Sequence, residues 1–423
     1  MTNLSQRPSG ADGGSGPGTA GRAGGTTAAS SLREEADTLP KVPLLLLALT
    51  GFTAIVTETM PTGLLPQISA DLGIEPPAVG QMVTIYALGS LLAAIPLVSL
   101  TQRLRRRPVL MTAIAGFLIF NFVTVATSSL LVIMVARFMA GVSAGLSWGL
   151  LGGYARRMVV DSLKGRAVAL AMAGTPVALS IGTPLGTYLG GAIGWRGAFV
   201  AMSAVAALLL VAVSWRMPDF PGQPSDRPLR VRTVIMTPGV RPVLLAAFLW
   251  VTAHYVLYTY AALFAAQVGI PQRTDLLLAV FGFASLSGIW LAGAMVDRRL
   301  RWHVLGSLVL FALATAAMAF ARQAPVLLWP AVIVWGITFG GAATSIQTAA
   351  SDAAGEGVNI VSAMTTTTWN AAIALGGALG ALILRLQGVK GFFWVMLALI
   401  LTSLIVAVGA RNYGFRSGAR AGR

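Results

Sequence analysis

The sequence predicts an all-α polytopic membrane protein whose twelve transmembrane helices form two six-helix halves. Three observations predict it. Hydrophobic residues make up 56% of the chain and charged ones 10%, with a mean hydropathy of +0.77, whereas a water-soluble domain carries about 25% charged residues. Twelve apolar runs approach the ~20 residues that a ~30 Å hydrocarbon core requires. Sliding the chain on itself by 196 residues sets LVSLTQRLRRRPVL (97–110) against GAMVDRRLRW (293–302), a basic loop after the second run of each half.

The elements follow in chain order. The stretch before Val42 includes SGADGGSGPGTAGRAGGTTAASS, too poor in bulky apolar groups to offset the entropy of ordering, so residues 1–41 are expected to be a disordered cytoplasmic tail. The run that follows is longer than the ~7–15 residues of a signal-peptide core and contains Glu58, Pro61 and Pro66, which argues against a cleaved leader. Spans are expected at about 42–66, 79–100, 108–127, 130–153, 165–192 and 197–215, giving a first half over 42–216. The segment MPDFPGQPSDRPLRVRTVIMTPGVRP, rich in Pro and Arg, supplies a cytoplasmic linker over 217–241. Six more spans are expected at about 242–267, 275–296, 303–321, 325–350, 359–386 and 390–409, giving a second half over 242–410, then a cytoplasmic tail over 411–423. All are too long for outer-membrane strands of ~9–11 residues.

Charge sets the orientation. The formal charge is +16, but the 30 Lys and Arg are spread along the chain, and 24 of them fall in alternate loops and the two tails. That distribution argues against nucleic acid and, by the positive-inside rule, places both termini in the cytoplasm. The chain has no Cys, which excludes disulfides and thiol chemistry.

Four stretches carry a family resemblance: TETMPTGLLPQISADLGI (57–74), QMVTIYALGSLLAAIPL (81–97), RFMAGVSAGLSWG (137–149) and GRAVALAMAGTPVALSIGTPLGTYLGGAIGWRGAF (165–199). Together they resemble the drug:proton antiporter branch of the major facilitator superfamily, in particular the arabinose and chloramphenicol efflux proteins. The likeness covers nearly the whole chain from Val42 and is strongest in the first half. It implies two parallel six-helix repeats, a bacterial plasma (inner) membrane location and transport by alternating access.

In the fifth run, Gly174, Gly182, Gly186 and Gly190 permit close helix approach, while Pro176 and Pro184 each free a carbonyl and allow a bend. Such a helix is expected to act as a gate, and in the family this pattern is characteristic of exporters; here Thr183 stands where the broader pattern has Gly. The superfamily's basic-loop signature survives in the second half as Gly293, Asp297 and Arg298. In the first half Leu97 and Thr101 replace its Gly and Asp.

Of fourteen acids only Glu58 lies within a span. Placing an acid in hydrocarbon costs at least ~2.5 kcal/mol, and such a group usually serves a substrate or proton site. Arg137 is the one basic side chain deep in a span. Counting residues from the expected span ends puts both roughly 10 Å from the outer side, so the two are expected to face each other, with Arg137 tuning the protonation of Glu58. A static structural pair is the alternative.

In WVTAHYVLYTY, Trp250, His254 and Tyr258 recur on one helical face with Tyr255 alongside; Trp148, Trp369 and Asn370 complete the expected substrate cavity. Asn370 matches a position in the family branch where Asn precedes a Gly-rich turn. His254 is the expected second titrating group. Packing is the competing reading for each of these residues.

No phosphate loop, metal-ligand cluster or nucleophile elbow is present in the sequence, so neither an enzyme nor a cofactor is expected. The expected protein is a monomeric, proton-coupled exporter of small organic compounds, its partners being a small-molecule substrate, protons and the lipid bilayer. A sugar facilitator or importer on the same fold, and a non-transporting sensor or scaffold, are the alternatives.

Overall fold

The computed structural model describes residues 39–222, 231–416 and 418. The tail before Leu39, the linker stretch 223–230 and residues 417 and 419–423 lie outside the described residues. Among these described residues, ten continuous helical stretches are long and apolar enough to cross a bilayer. Two of them, 53 and 49 residues long, are about twice the length that one crossing needs at ~1.5 Å per residue. They break at Gly194 and at Arg299, where the backbone leaves the helical region. Twelve crossings result among the described residues.

The first half comprises α1 (Lys41–Leu72), α2 (Pro76–Leu100), α3 (Arg106–Val125), α4 (Leu130–Arg157), α5 (164–193) and α6 (195–216). The second comprises α7 (Val240–Tyr258, continued as Ala261–Gln267), α8 (274–298), α9 (300–319), α10 (Leu328–Gly340 and Ala342–Ala354), α11 (Val358–Gln387) and α12 (Lys390–Gly409). Sequence and structure agree on all twelve. The structure adds breaks that apolar length cannot reveal. A π-helical turn interrupts α5 at Ala178–Gly182, α7 turns at Thr259 and Tyr260, and α10 is offset at Gly341. α1 runs through Pro61 and Pro66 and stops at Gly73, whose φ of 63° is the left-handed conformation that closes a helix without a Cβ penalty.

The halves repeat one packing device. In the first, Gly89, Gly141 and Gly145 bring α2 against α4 so closely that a Cβ would collide with the carbonyls of Phe138, Tyr86 and Ser90. In the second, Gly288, Gly336 and Gly340 do the same between α8 and α10 against Ile337, Phe281 and Ser285. Lipid offers no hydrophobic drive for helix association, so this close van der Waals approach holds each half together.

Close contacts across the halves gather at the end remote from the termini, the far end. There Gly80 of α2 lies under the Tyr260 ring, Gly377 of α11 lies on Thr84, and Gly282 of α8 meets the backbone of Leu179 and Ser180 in α5. An ion pair, Glu75 to Arg385 at 3.8 Å, spans the mouth of that end. Beside it is a cavity of about 950 Å³, lined by Pro77, Leu263, Gln267 and Leu384 among others. At the terminus end, Gly153 of α4 and Gly293 of α8 are exposed, and a Cβ on either would meet nothing within 4 Å.

The linker is partly structured. Its first residues dock on the first half: Tyr154 donates to the Pro218 carbonyl at 2.6 Å, and Arg157 donates to that of Pro221 at 2.7 Å. Asp219 accepts from Arg105 Nε at 2.5 Å and from the Arg107 N–H at 3.1 Å. Asp219 thus brings to the first basic loop the acid that Thr101 lacks. Partial burial opposes its ionisation, but the two donors outweigh this and hold its carboxyl below the usual carboxylate range. A short helix, Val231–Met236, follows the undescribed stretch.

Candidate functional site

Six polar side chains of α1, Thr50, Thr53, Thr57, Glu58, Thr59 and Thr62, are buried among its apolar neighbours. The threonines at 50, 53 and 59 return their hydroxyl protons to carbonyls one turn earlier, which makes a polar residue tolerable in lipid. Others bind neighbouring helices. Asn121 of α3 donates to Thr57 at 3.0 Å, and the Thr59 and Thr183 hydroxyls lie 2.7 Å apart between α1 and α5. Thr183, the departure from Gly in the fifth helix, also bonds the Ala178 carbonyl that the π turn leaves reachable.

Glu58 is 3% exposed and Arg137 is fully buried. The two helices face each other as the sequence suggests, yet the contact is of another kind. Arg137 Nη2 donates to the backbone carbonyl of Glu58 at 3.3 Å, and Nε to that of Met82 at 3.4 Å. Its guanidinium lies 4.9 Å from the Tyr86 ring centre and 5.8 Å from that of Phe199. Arg137 therefore ties α1, α2 and α4 together through main-chain acceptors and aromatic faces. The Glu58 carboxylate instead accepts from the opposite half, where Tyr255 donates its hydroxyl proton to Oε1 at 3.2 Å.

His254 sits in an aromatic block. Phe339 stacks on it at 3.5 Å between ring centres and Tyr258 at 4.9 Å, while Tyr255 meets its edge. Trp335 donates Nε1–H to His254 Nδ1 at 3.0 Å, and an accepting ring nitrogen carries no proton. Phe281 fills the space beside Trp335 at 4.4 Å. Trp250 is buried in the second half with its indole N–H unpartnered. Trp369 is half-buried, its ring 5.8 Å from Phe339, and Asn370 donates to the Thr366 carbonyl of its own helix. Trp148 is half-buried against Gly51 of α1.

The fifth-helix glycines face the same half. A Cβ at Gly174 would strike the Ala48 carbonyl, one at Gly182 would meet Val56 and Phe52, one at Gly190 would strike Leu64, and one at Gly186 would lie 3.4 Å from Met60. All of these partners are on α1. Pro176 offers its carbonyl to Ser180, Pro184 opens the helical stretch after the π turn, and the turn itself packs on Gly282 of the second half. Gly293, Asp297 and Arg298 lie at the terminus end of α8, all exposed.

Several members of the site escape sequence reading. Phe281, Trp335 and Phe339 look like ordinary apolar residues in their runs and become an aromatic block only when α7, α8 and α10 converge. Thr84 and Thr259 are buried hydroxyls without partners; both lie near Gly377, whose carbonyl accepts from Tyr260 at 3.0 Å. Among the described residues, no three His, Asp or Glu side chains converge as a metal site.

Comparison with known proteins bears on this arrangement. A family model described as Major Facilitator Superfamily matches residues 47–377. A "Probable sugar efflux transporter" of Helicobacter pylori (strain P12) is 23% identical over 359 residues, spanning 84% of this chain and 92% of the relative. "Inner membrane transport protein YdhP" of Escherichia coli (strain K12) is 27% identical over 376 residues, spanning 88% and 96%. Among solved structures, the human organic anion transporter MFSD10 (TETRAN) shares the fold with a TM-score of 0.66 at 17% identity, covering 88% of this chain and all of that one.

Proposed function

The chain belongs to the major facilitator superfamily and is a multi-pass membrane transporter rather than an enzyme, and from that premise we propose that it exports small organic compounds, drug- or sugar-like, in exchange for protons. The observation that carries the proton half of this reading is Glu58. Among the described residues it is the one buried acid, it lies at the seam of the halves, and its carboxylate bonds a residue of the opposite half. A titrating group so placed senses both protonation and the packing of the halves.

Export is supported by the relative named a probable sugar efflux transporter and by the glycine and proline pattern of α5. The basic residues favour an inner membrane in which both termini face the cytoplasm. The far end is then periplasmic, and the packing of the halves there corresponds to a carrier open toward the cytoplasm. The bare environment of Gly153 and Gly293 fits that reading, since small residues with no neighbour in one packing are available for close approach in the other.

The test uses reconstituted vesicles, an imposed pH gradient and a panel of sugars and amphipathic drugs. Efflux of at least one compound should follow the gradient. Glu58→Gln should abolish gradient-driven transport while substrate exchange persists at zero gradient. Unchanged gradient-driven transport in Glu58→Gln would remove the acid from the mechanism.

A further inference from the structure

The bond between Tyr255 and Glu58 joins the two halves at the buried acid, and its geometry points to a specific role. We propose that Tyr255 is the positioning residue of a protonation-sensitive latch, holding the far end closed while Glu58 is ionised. This inference rests on the reading of Glu58 as the proton carrier.

Tyr255 is placed rigidly by the second half. Its Cβ packs on Gly376 of α11, so tightly that a Cβ there would come within 2.7 Å, and its ring meets His254 at 4.9 Å and Tyr258 at 5.9 Å, both edge-on. The hydroxyl is thereby delivered to Glu58 Oε1 from outside the first half. Within the first half, Arg137 engages the Glu58 main chain and Tyr86 donates to the Ala54 carbonyl at 2.8 Å. The titratable and charged groups facing the pair are thus Arg137 and Tyr86 on one side and His254 and Tyr258 on the other. Of these hydroxyls and cations, the one that hydrogen-bonds the carboxylate is that of Tyr255, and it belongs to the other half.

A hydrogen bond to an ionised carboxylate is roughly twice as strong as one to a neutral acceptor. Tyr255 therefore draws α7 to α1 more strongly when Glu58 has lost its proton than when it holds one. Opening the far end separates these helices and breaks the bond. The empty, deprotonated carrier is accordingly held in the packing seen here, open on the terminus side, until substrate arrives. Protonation loosens the same seam without any other group changing charge.

The absence of cysteine lets the chain report its own conformation. Spin labels on cysteines at Ala70 and Lys390, exposed far-end positions in opposite halves, would be read by pulsed dipolar spectroscopy in nanodiscs at acid and at alkaline pH. In the parent, alkaline pH should raise the ratio of short to long distances by about tenfold, the difference between a charged and a neutral bond. Tyr255→Phe should flatten that response to within about twofold, and Tyr255→Met serves the same purpose if the Phe variant is not recovered folded. A full parental response in the Tyr255 variants, with Glu58→Gln pH-insensitive, would overturn the latch and leave Glu58 as proton carrier. A full response in Glu58→Gln would overturn both readings.

Discussion

Gly282 of α8 packs directly on the backbone of the π turn in the fifth helix, and replacing it with Ala should open the far end. A Cβ there would overlap the Leu179 carbonyl oxygen and the Ser180 Cα, both backbone atoms of the π turn. No side-chain rotation can relieve such a clash. Restoring contact distances of about 3.5 Å requires α5 and α8 to part by roughly 1 Å. Forcing a methyl group into a close-packed seam costs about 1–3 kcal/mol, which corresponds to a shift of about 5- to 150-fold in the ratio of far-end-closed to far-end-open carriers. Because the strain falls across the halves, each half should fold as before. The assay places a cysteine at Thr84, a buried seam position, and measures its labelling by a membrane-impermeant maleimide applied from the far side. Gly282→Ala should raise that rate at least fivefold. Gly186→Ala is the control, since its Cβ would lie 3.4 Å from the flexible end of Met60 and within one half, and it should leave the rate unchanged. Normal expression of Gly282→Ala with parental labelling would refute the idea that this contact closes the far end.

Other consequences are equally direct. Arg137→Ala should lower the thermal midpoint by several degrees, because Arg137 bonds the main chain of Glu58 and Met82 and ties three helices of the first half together; calorimetry reads the loss. Asp219→Asn should release the linker from Arg105 and the Arg107 N–H, visible as faster proteolysis after residue 222 with little change in the thermal midpoint. That tether requires an ionised carboxyl held below its usual range, so in the parent it should persist at neutral pH and be lost only as pH falls through the lowered value of Asp219. A reporter fused at Arg423 should be active in the cytoplasm, and periplasmic activity would overturn the proposed orientation.

The twelve spans were legible because apolar length is a one-dimensional property: a run near 20 residues with few charges has few other homes. Glu58 and Arg137 were legible for the same reason, as charges in the wrong solvent. Their partners were not. Whether Arg137 bonds a carboxylate or a carbonyl depends on the depth and rotation of two helices to within a fraction of a turn, and no periodicity fixes that. The π turn at Ala178–Gly182 leaves no mark in composition. Asp219 carried a usable signal, an acid beside Pro218 and Phe220 just after a span, while the first basic loop lacked the acid its counterpart keeps as Asp297. Tyr255 stands out in the sequence as an aromatic beside His254, but its bond across the halves required both halves in place.

The far end is held by close contacts and is also taxed by them. Gly80, Gly282 and Gly377 let backbones and rings of opposite halves meet, and Tyr255 adds a hydrogen bond to the Glu58 carboxyl. Against these stand the buried hydroxyls of Thr84 and Thr259, both without partners in this packing. Each orphaned hydroxyl costs about 1–3 kcal/mol relative to a hydrated one, and opening the far end would return both to water. A carrier that alternates needs its two packings within a few kcal/mol of each other. The two threonines offset much of what the glycine contacts contribute, so the seam closes without locking. Thr84→Val combined with Thr259→Val removes the offset and keeps the volume. The double variant should therefore favour the closed far end by at least tenfold in a distance measurement, and it should transport more slowly than the parent although nothing that touches Glu58 has changed.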